Sequence, residues 1–110
     1  MDELTSVFVQ ESRDQLATLE AGLLRLEQTP DDADSLNAVF RAAHTIKGGA
    51  GFMGLTIIQD LAHAAENVLG LIRSEKLVPN PDIINVLLLA ADELQHMIED
   101  VGNSNTVDIS

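Results

Sequence analysis

His44 and Lys47 stand three residues apart in HTIKGGAGFMG, and His63 and Glu66 stand three apart in HAAENVLG. On a helix that spacing makes two side chains surface neighbours, so each pair can act as one chemical unit. Histidine is the side chain best suited to nucleophilic or acid–base work near neutral pH, and with a carboxylate it can also bind a metal. Gly48 and Gly51 follow His44 on roughly the same flank. Each helical glycine costs about 1 kcal/mol relative to alanine, so glycines here need a reason, and open access to the imidazole is one. Gln59, His63, Glu66 and Gly70 fall on one strip of the next amphipathic segment, at the border of its apolar face. If the two segments are antiparallel neighbours, His44, Lys47, His63 and Glu66 form one cluster at the surface.

Four amphipathic segments are available to position that cluster. The first runs from about Asp2 to Gln28, with Leu4, Phe8, Leu16, Leu19, Leu23 and Leu26 on one face. Pro30 and the aspartates of TPDDADS end it and offer N-caps to the second, which begins near Asp34 or Ser35. Leu36, Val39, Phe40, Ala43, Ile46 and Ala50 are its inward face, and it is expected to fade into KGGAGFMG. A third spans about Leu55 to Arg73 through Ile58, Leu61, Ala62, Ala65, Leu69 and Ile72. Two prolines in EKLVPNPD separate it from a fourth, about Pro81 to Val101, through Ile84, Leu87, Leu88, Ala91, Leu94 and Ile98. The pattern predicts an all-α, antiparallel, up-down-up-down four-helix bundle over 1–101. Residues 102–110 read as a fraying polar tail or the start of a linker.

Composition agrees and narrows the partners. A chain of 110 residues, 45% hydrophobic, carries one core, and 3% aromatic residues suit aliphatic helix packing better than a β-sandwich. Eighteen acidic against six basic residues give a net charge of −12, which disfavours nucleic acid and anionic membrane surfaces. The absence of cysteine removes thiolate chemistry and disulfides. The first residues, MDELTSVFVQ, lack a signal-peptide pattern, and no apolar run approaches the roughly 18 residues of a membrane span. A cytoplasmic location is the expectation.

HTIKGGAGFMGL followed by LAHAAENVLG resembles the histidine-phosphotransfer domain of CheA-type chemotaxis histidine kinases. The family's HxxKG pattern, with a further glycine ten residues after the histidine, is matched by His44, Lys47, Gly48 and Gly54, and the CheA-type subgroup's His and Glu by His63 and Glu66. The resemblance implies that His44 accepts a phosphoryl group and later passes it to an aspartate of a receiver domain of CheY or CheB type. It implies a four-helix bundle, without evidence here of the fifth helix seen in some relatives. Glu66 would accept a hydrogen bond from Nδ1–H and leave Nε2 to attack, as the aspartate does for a triad histidine. Lys47 would place its charge near the phosphoryl oxygens, a contact typically worth about 1–3 kcal/mol. His63 would belong to the same network. No nucleotide-binding motif such as GxxxxGK or GxGxxG occurs, so ATP and Mg²⁺ would act through a separate kinase module, and this domain would bind no cofactor and be no enzyme by itself. The parent kinase would place the chain at chemoreceptor arrays; sequence alone leaves open whether the chain is a whole protein or a fragment, the polar ending after Gly102 favouring a fragment.

Two other readings compete. Two histidines and a glutamate could bind zinc, but bundle metal sites use Glu-x-x-His on paired helices, and Lys47 would sit beside the cation. A non-catalytic adaptor could instead dock a partner through Phe52 and Met53, which are equally readable as core at a helix junction or as an apolar lip beside His44. His96, near Glu93 and Glu99, reads as a solvated helix-face residue.

Overall fold

A computed structural model describes the backbone of residues 2–108 and the side chains of 2–102. It contains four helices: α1 (Glu3–Gln28), α2 (Ala33–Phe52), α3 (Thr56–Arg73) and α4 (Pro81–Asp108). α1 packs on α2 and α4, and α3 packs on α2 and α4, so successive antiparallel helices close a four-cornered bundle 48 × 20 × 20 Å in extent. The all-α up-down-up-down architecture is the one the periodicity predicts.

Capping side chains set most of the helix starts. Asp2 accepts from the Thr5 amide at 2.7 Å and the Thr5 hydroxyl at 2.9 Å. Asp32 accepts from the Ser35 amide and hydroxyl, which starts α2 at Ala33, slightly earlier than the sequence suggested. Asn80 accepts from the Ile83 amide at 2.9 Å and opens α4. Each such cap satisfies an amide that the helix leaves unpaired, typically for about 1 kcal/mol.

The core is a column of aliphatic side chains, with Leu23, Leu26, Val39, Leu69, Ile84, Leu94 and Ile98 fully buried. Phe8, Leu16, Leu19, Ala43, Ile46, Ala50, Ile58, Ala62, Ala65, Ile72, Leu87 and Ala91 are buried as expected. Leu36, Phe40, Leu61 and Leu88 are only partly so. Leu4 departs from expectation and is 54% exposed. The buried stripe of α1 is centred on Thr5, Ser12 and Leu19, and at about 100° per residue Leu4 points well off that line.

Two helices run further than the sequence suggested. α2 does not fade in KGGAGFMG but continues to Phe52. Ala50 is buried there, and Gly49 lets the helix close on Phe8: a Cβ on Gly49 would lie 3.3 Å from Phe8 Cδ1. Burial of that contact offsets the low helix propensity of glycine. α4 continues through Gly102 to Asp108, where a frayed tail was expected. No proline interrupts this stretch, and each residue added to a formed helix contributes one further hydrogen bond. Residues 109–110 of the expected tail lie outside the described residues.

The α2–α3 turn fixes the relation of the two site-bearing helices. Gly54, at φ 72°, takes the left-handed conformation after the Met53 cap. The Gly54 amide then donates to the Gly51 carbonyl at 3.1 Å and the Leu55 amide to the Ala50 carbonyl at 2.9 Å. This is a Schellman closure, in which glycine carries no Cβ penalty. α3 ends the same way, with Glu75 at φ 63° in the glycine position.

Candidate functional site

α2 and α3 lie antiparallel and adjacent, which brings Glu66 of α3 against His44 and Lys47 of α2. Glu66 Oε2 is hydrogen-bonded to His44 Nδ1, and Lys47 Nζ donates to Glu66 Oε1 at 2.6 Å. One carboxylate therefore holds two α2 side chains through its two oxygens. The Glu66 side chain is 10% exposed, Lys47 25% and the His44 ring 62%. The site is a buried anion beneath a solvent-facing imidazole.

Ionisation follows from this packing. Burial acts to raise the pKa of Glu66, but the hydrogen bonds from Lys47 and His44, with the Lys47 charge, outweigh it and hold the carboxyl below its usual range. An ionised Glu66 can only accept, so the hydrogen atom in its bond to the imidazole resides on Nδ1. Nε2 then carries the lone pair, on a ring that is mostly exposed.

His63 is exposed on α3 and makes no hydrogen bond or ion pair with the other three. The hydrogen-bonded set is thus His44, Lys47 and Glu66, with His63 one turn before Glu66 on α3. His96 is exposed on α4 as expected. Among the described residues no three His, Asp or Glu side chains converge as metal ligands.

The glycines divide by role. A Cβ on Gly48 would meet nothing within 4 Å, so the helix surface one turn after His44 is open. A Cβ on Gly51 would lie 2.6 Å from Gln59 Nε2, so Gly51 gives α3 a close seat. Gly54 serves the turn, as described above. Met53 packs partly against the core, whereas Phe52 is 78% exposed. Phe52 shares a shallow depression of about 110 Å³ with Leu4, Val7, Phe8, Glu11 and Gly49, two helical turns beyond His44.

Two residues on α2 near the site escaped sequence reasoning. Gly49 was hidden because its role depends on the position of Phe8 on α1, which no local pattern reports. Arg41 lies one turn before His44, fully detectable from its spacing, and is exposed with its guanidinium in no ion pair.

The four-helix bundle thus presents a solvent-facing histidine whose inner nitrogen is bonded to a buried carboxylate. The chain belongs to the Hpt domain family, whose model matches residues 3–104. It is 44% identical to the chemotaxis protein CheA of Rhizobium meliloti over 98% of its own length and 14% of that protein's. It is 41% identical to CheA of Salmonella typhimurium, over 98% of this chain and 16% of that one. The chain thus spans about one sixth of the length of these relatives. Its fold is similar to the phosphorylated P1 domain of CheA3 from R. sphaeroides in complex with CheY6, with a TM-score of 0.87 and 34% identity over 96% of this chain and 82% of that one. The CheA phosphotransferase domain of Thermotoga maritima gives a TM-score of 0.85 and 32% identity, over 92% of this chain and 98% of that domain. A redesigned four-helix bundle, 17% identical at a TM-score of 0.86, shares the fold alone.

Proposed function

We propose that this domain is the phosphoryl carrier of a CheA-type chemotaxis kinase, with His44 as acceptor. The observation that carries the reading is the bond between His44 Nδ1 and Glu66, which leaves Nε2 as the reactive atom of a 62% exposed ring. The Nε2 lone pair attacks the γ-phosphorus of ATP held by a separate kinase module, the bond to the bridging oxygen breaks, and ADP leaves with its electrons. The phosphorylated ring is then cationic, and the Glu66 carboxylate beneath Nδ1 stabilises that charge. In the second transfer an aspartate oxygen attacks phosphorus, and the N–P bond electrons return to Nε2.

The domain is substrate rather than catalyst in the first step, and ATP and Mg²⁺ act through the kinase module. Lys47 serves first to hold Glu66 ionised and in place, and through its charge favours the incoming phosphoryl group. Gly48 leaves the approach to the ring clear. The likeness to a P1 domain in complex with CheY6 supports a receiver domain of CheY or CheB type as acceptor. Phe52 and its neighbours offer the apolar contact for that docking, with Met53 supporting them from below. No helix among the described residues is long and apolar enough to cross a membrane, which accords with a cytoplasmic site of action at chemoreceptor arrays through the parent kinase.

Incubation with the kinase module and γ-labelled ATP should give acid-labile, alkali-stable phosphate on this chain and none on His44→Gln. Label retained by the His44→Gln protein would overturn the assignment. A partner that binds, and signals through, the His44→Gln protein unchanged would favour the adaptor reading instead.

A further inference from the structure

The chain has six basic side chains, and five of them are accounted for or remote. Arg13 forks onto Glu99 through two 2.7 Å bonds, Arg25 reaches Asp32 at 3.0 Å, and Lys47 holds Glu66. Arg73 lies over the Phe40 ring, 4.0 Å from its centroid, and Lys76 sits in the α3–α4 connection. Arg41 is the remaining one, exposed on α2 and in no ion pair among the described residues. Of the basic side chains without an ion pair, Arg41, Arg73 and Lys76, only Arg41 lies within one helical turn of His44. The helical neighbours of Arg41 explain its lack of an ion pair: positions 37, 38, 44 and 45 are Asn, Ala, His and Thr, none of them acidic.

Position matters as much as pairing. With Val39, Ala42, Ala43, Ile46 and Ala50 facing the core, Lys47 falls on the α3 flank of His44 and Arg41 on its outer flank, each about 60° around the helix. Side chains three apart have Cβ atoms roughly 5–6 Å apart, which a guanidinium spans easily. Before phosphorylation the site's charges balance, Lys47 against Glu66. The phosphoryl oxygens on Nε2 then carry about −1.5 to −2, on the outward side of a ring whose cationic inner edge faces Glu66.

We infer that Arg41 is the charge partner of the phosphoryl group once it resides on His44, forking onto its oxygens from the outer flank while Lys47 stays on Glu66. This rests on the phosphoryl-carrier reading. Arginine suits the task because its planar fork matches two phosphoryl oxygens at once.

The test uses wild-type, Arg41→Gln and Arg41→Lys domains phosphorylated by the kinase module or chemically with phosphoramidate, and follows the second ionisation of the phosphoryl group by phosphorus NMR. Lys47, Glu66 and His63 are unchanged across this series. Arg41→Gln should raise that ionisation by about half a unit to one unit, the size expected for losing an exposed opposite charge, and Arg41→Lys should restore part of it. Identical titrations in wild type and Arg41→Gln would overturn the inference, as would an Arg41→Gln protein whose only defect is weaker receiver binding. Failure of wild type to take label on His44 under either donor would instead sink the carrier reading.

Discussion

Glu66 Oε2 bonds His44 Nδ1 across the α2–α3 interface, and this contact determines which imidazole nitrogen can react. The carboxylate is buried and ionised, so it can serve only as acceptor. Tautomer and ring orientation are therefore set by a residue 22 positions away in sequence.

Replacing Glu66 tests that relationship directly. Glu66→Gln keeps the shape but loses the charge, and it puts an NH2 donor in place of one of the two oxygens that His44 and Lys47 use. Loss of such an orienting group typically costs 10- to 100-fold. The rate of His44 phosphorylation should fall by about that factor, while the affinity for the kinase module, measured by titration calorimetry, stays the same. Equal losses in both would assign Glu66 a structural role.

The sequence revealed this site to the extent that helical spacing reveals faces. His44 and Lys47 could be read as surface neighbours on one segment and Glu66 placed at the border of the next segment's apolar face, to meet if the two segments are antiparallel neighbours. The depth of Glu66 was not readable, because α3's seat against α2 depends on contacts such as Gly51 on Gln59. Helix ends were the least legible feature. Glycine propensity argued for stopping α2 early, but the packing of Gly49 on Phe8 is a tertiary contact that local preference does not contain.

Acid should weaken the fold in part through Glu66. Its folded pKa lies below the ordinary carboxylate value, so between the two the unfolded chain binds more protons and stability rises with pH. The contribution is complete above the ordinary range of about pH 4–5 and is lost as pH falls through the folded pKa. Asp2 beside Thr5, Asp32 beside Ser35 and Arg25, and Glu99 beside Arg13 are lowered too and titrate in the same window. Lys47→Met isolates Glu66: burial then acts against less opposition, and its carboxyl should titrate higher by carbon-detected NMR. Urea denaturation of this variant should lose less stability between pH 7 and pH 4 than wild type. An unmoved Glu66 titration would show that Lys47 does not hold the carboxylate.

The two Schellman closures make opposite predictions. Gly54 and Glu75 both occupy left-handed backbone, at φ 72° and 63°. A Cβ there costs roughly 1–2 kcal/mol. Gly54→Ala should destabilise the domain by about 1 kcal/mol, whereas Glu75→Gly should be neutral or stabilising, since relief of strain offsets the extra freedom glycine gives the unfolded chain. Chemical denaturation at pH 7 decides between these signs. A loss of more than about 1 kcal/mol in Glu75→Gly would mean that its side chain contributes something beyond the turn.

Gly22 fixes how closely α1 approaches α2. A Cβ placed there would lie 2.3 Å from Val39 Cγ1, and the Ser35 carbonyl oxygen lies 3.5 Å away on the same helix. Val39 is fully buried and β-branched, so its methyl cannot swing aside at low cost. Gly22→Ala improves helix propensity by about 1 kcal/mol, yet overpacking of this kind costs about 1–3 kcal/mol, and the clash should win. The double variant Gly22→Ala, Val39→Ala removes the clash. It should therefore be more stable than the sum of the single effects predicts, with a coupling of about 0.5–3 kcal/mol in a denaturation cycle. Because α2 carries His44 and Lys47, the single variant should also slow phosphorylation if the shift of α2 loosens their hold on Glu66. Strict additivity would mean that α1 and α2 separate freely at this point, and that the close approach at Gly22 plays no part in positioning the site.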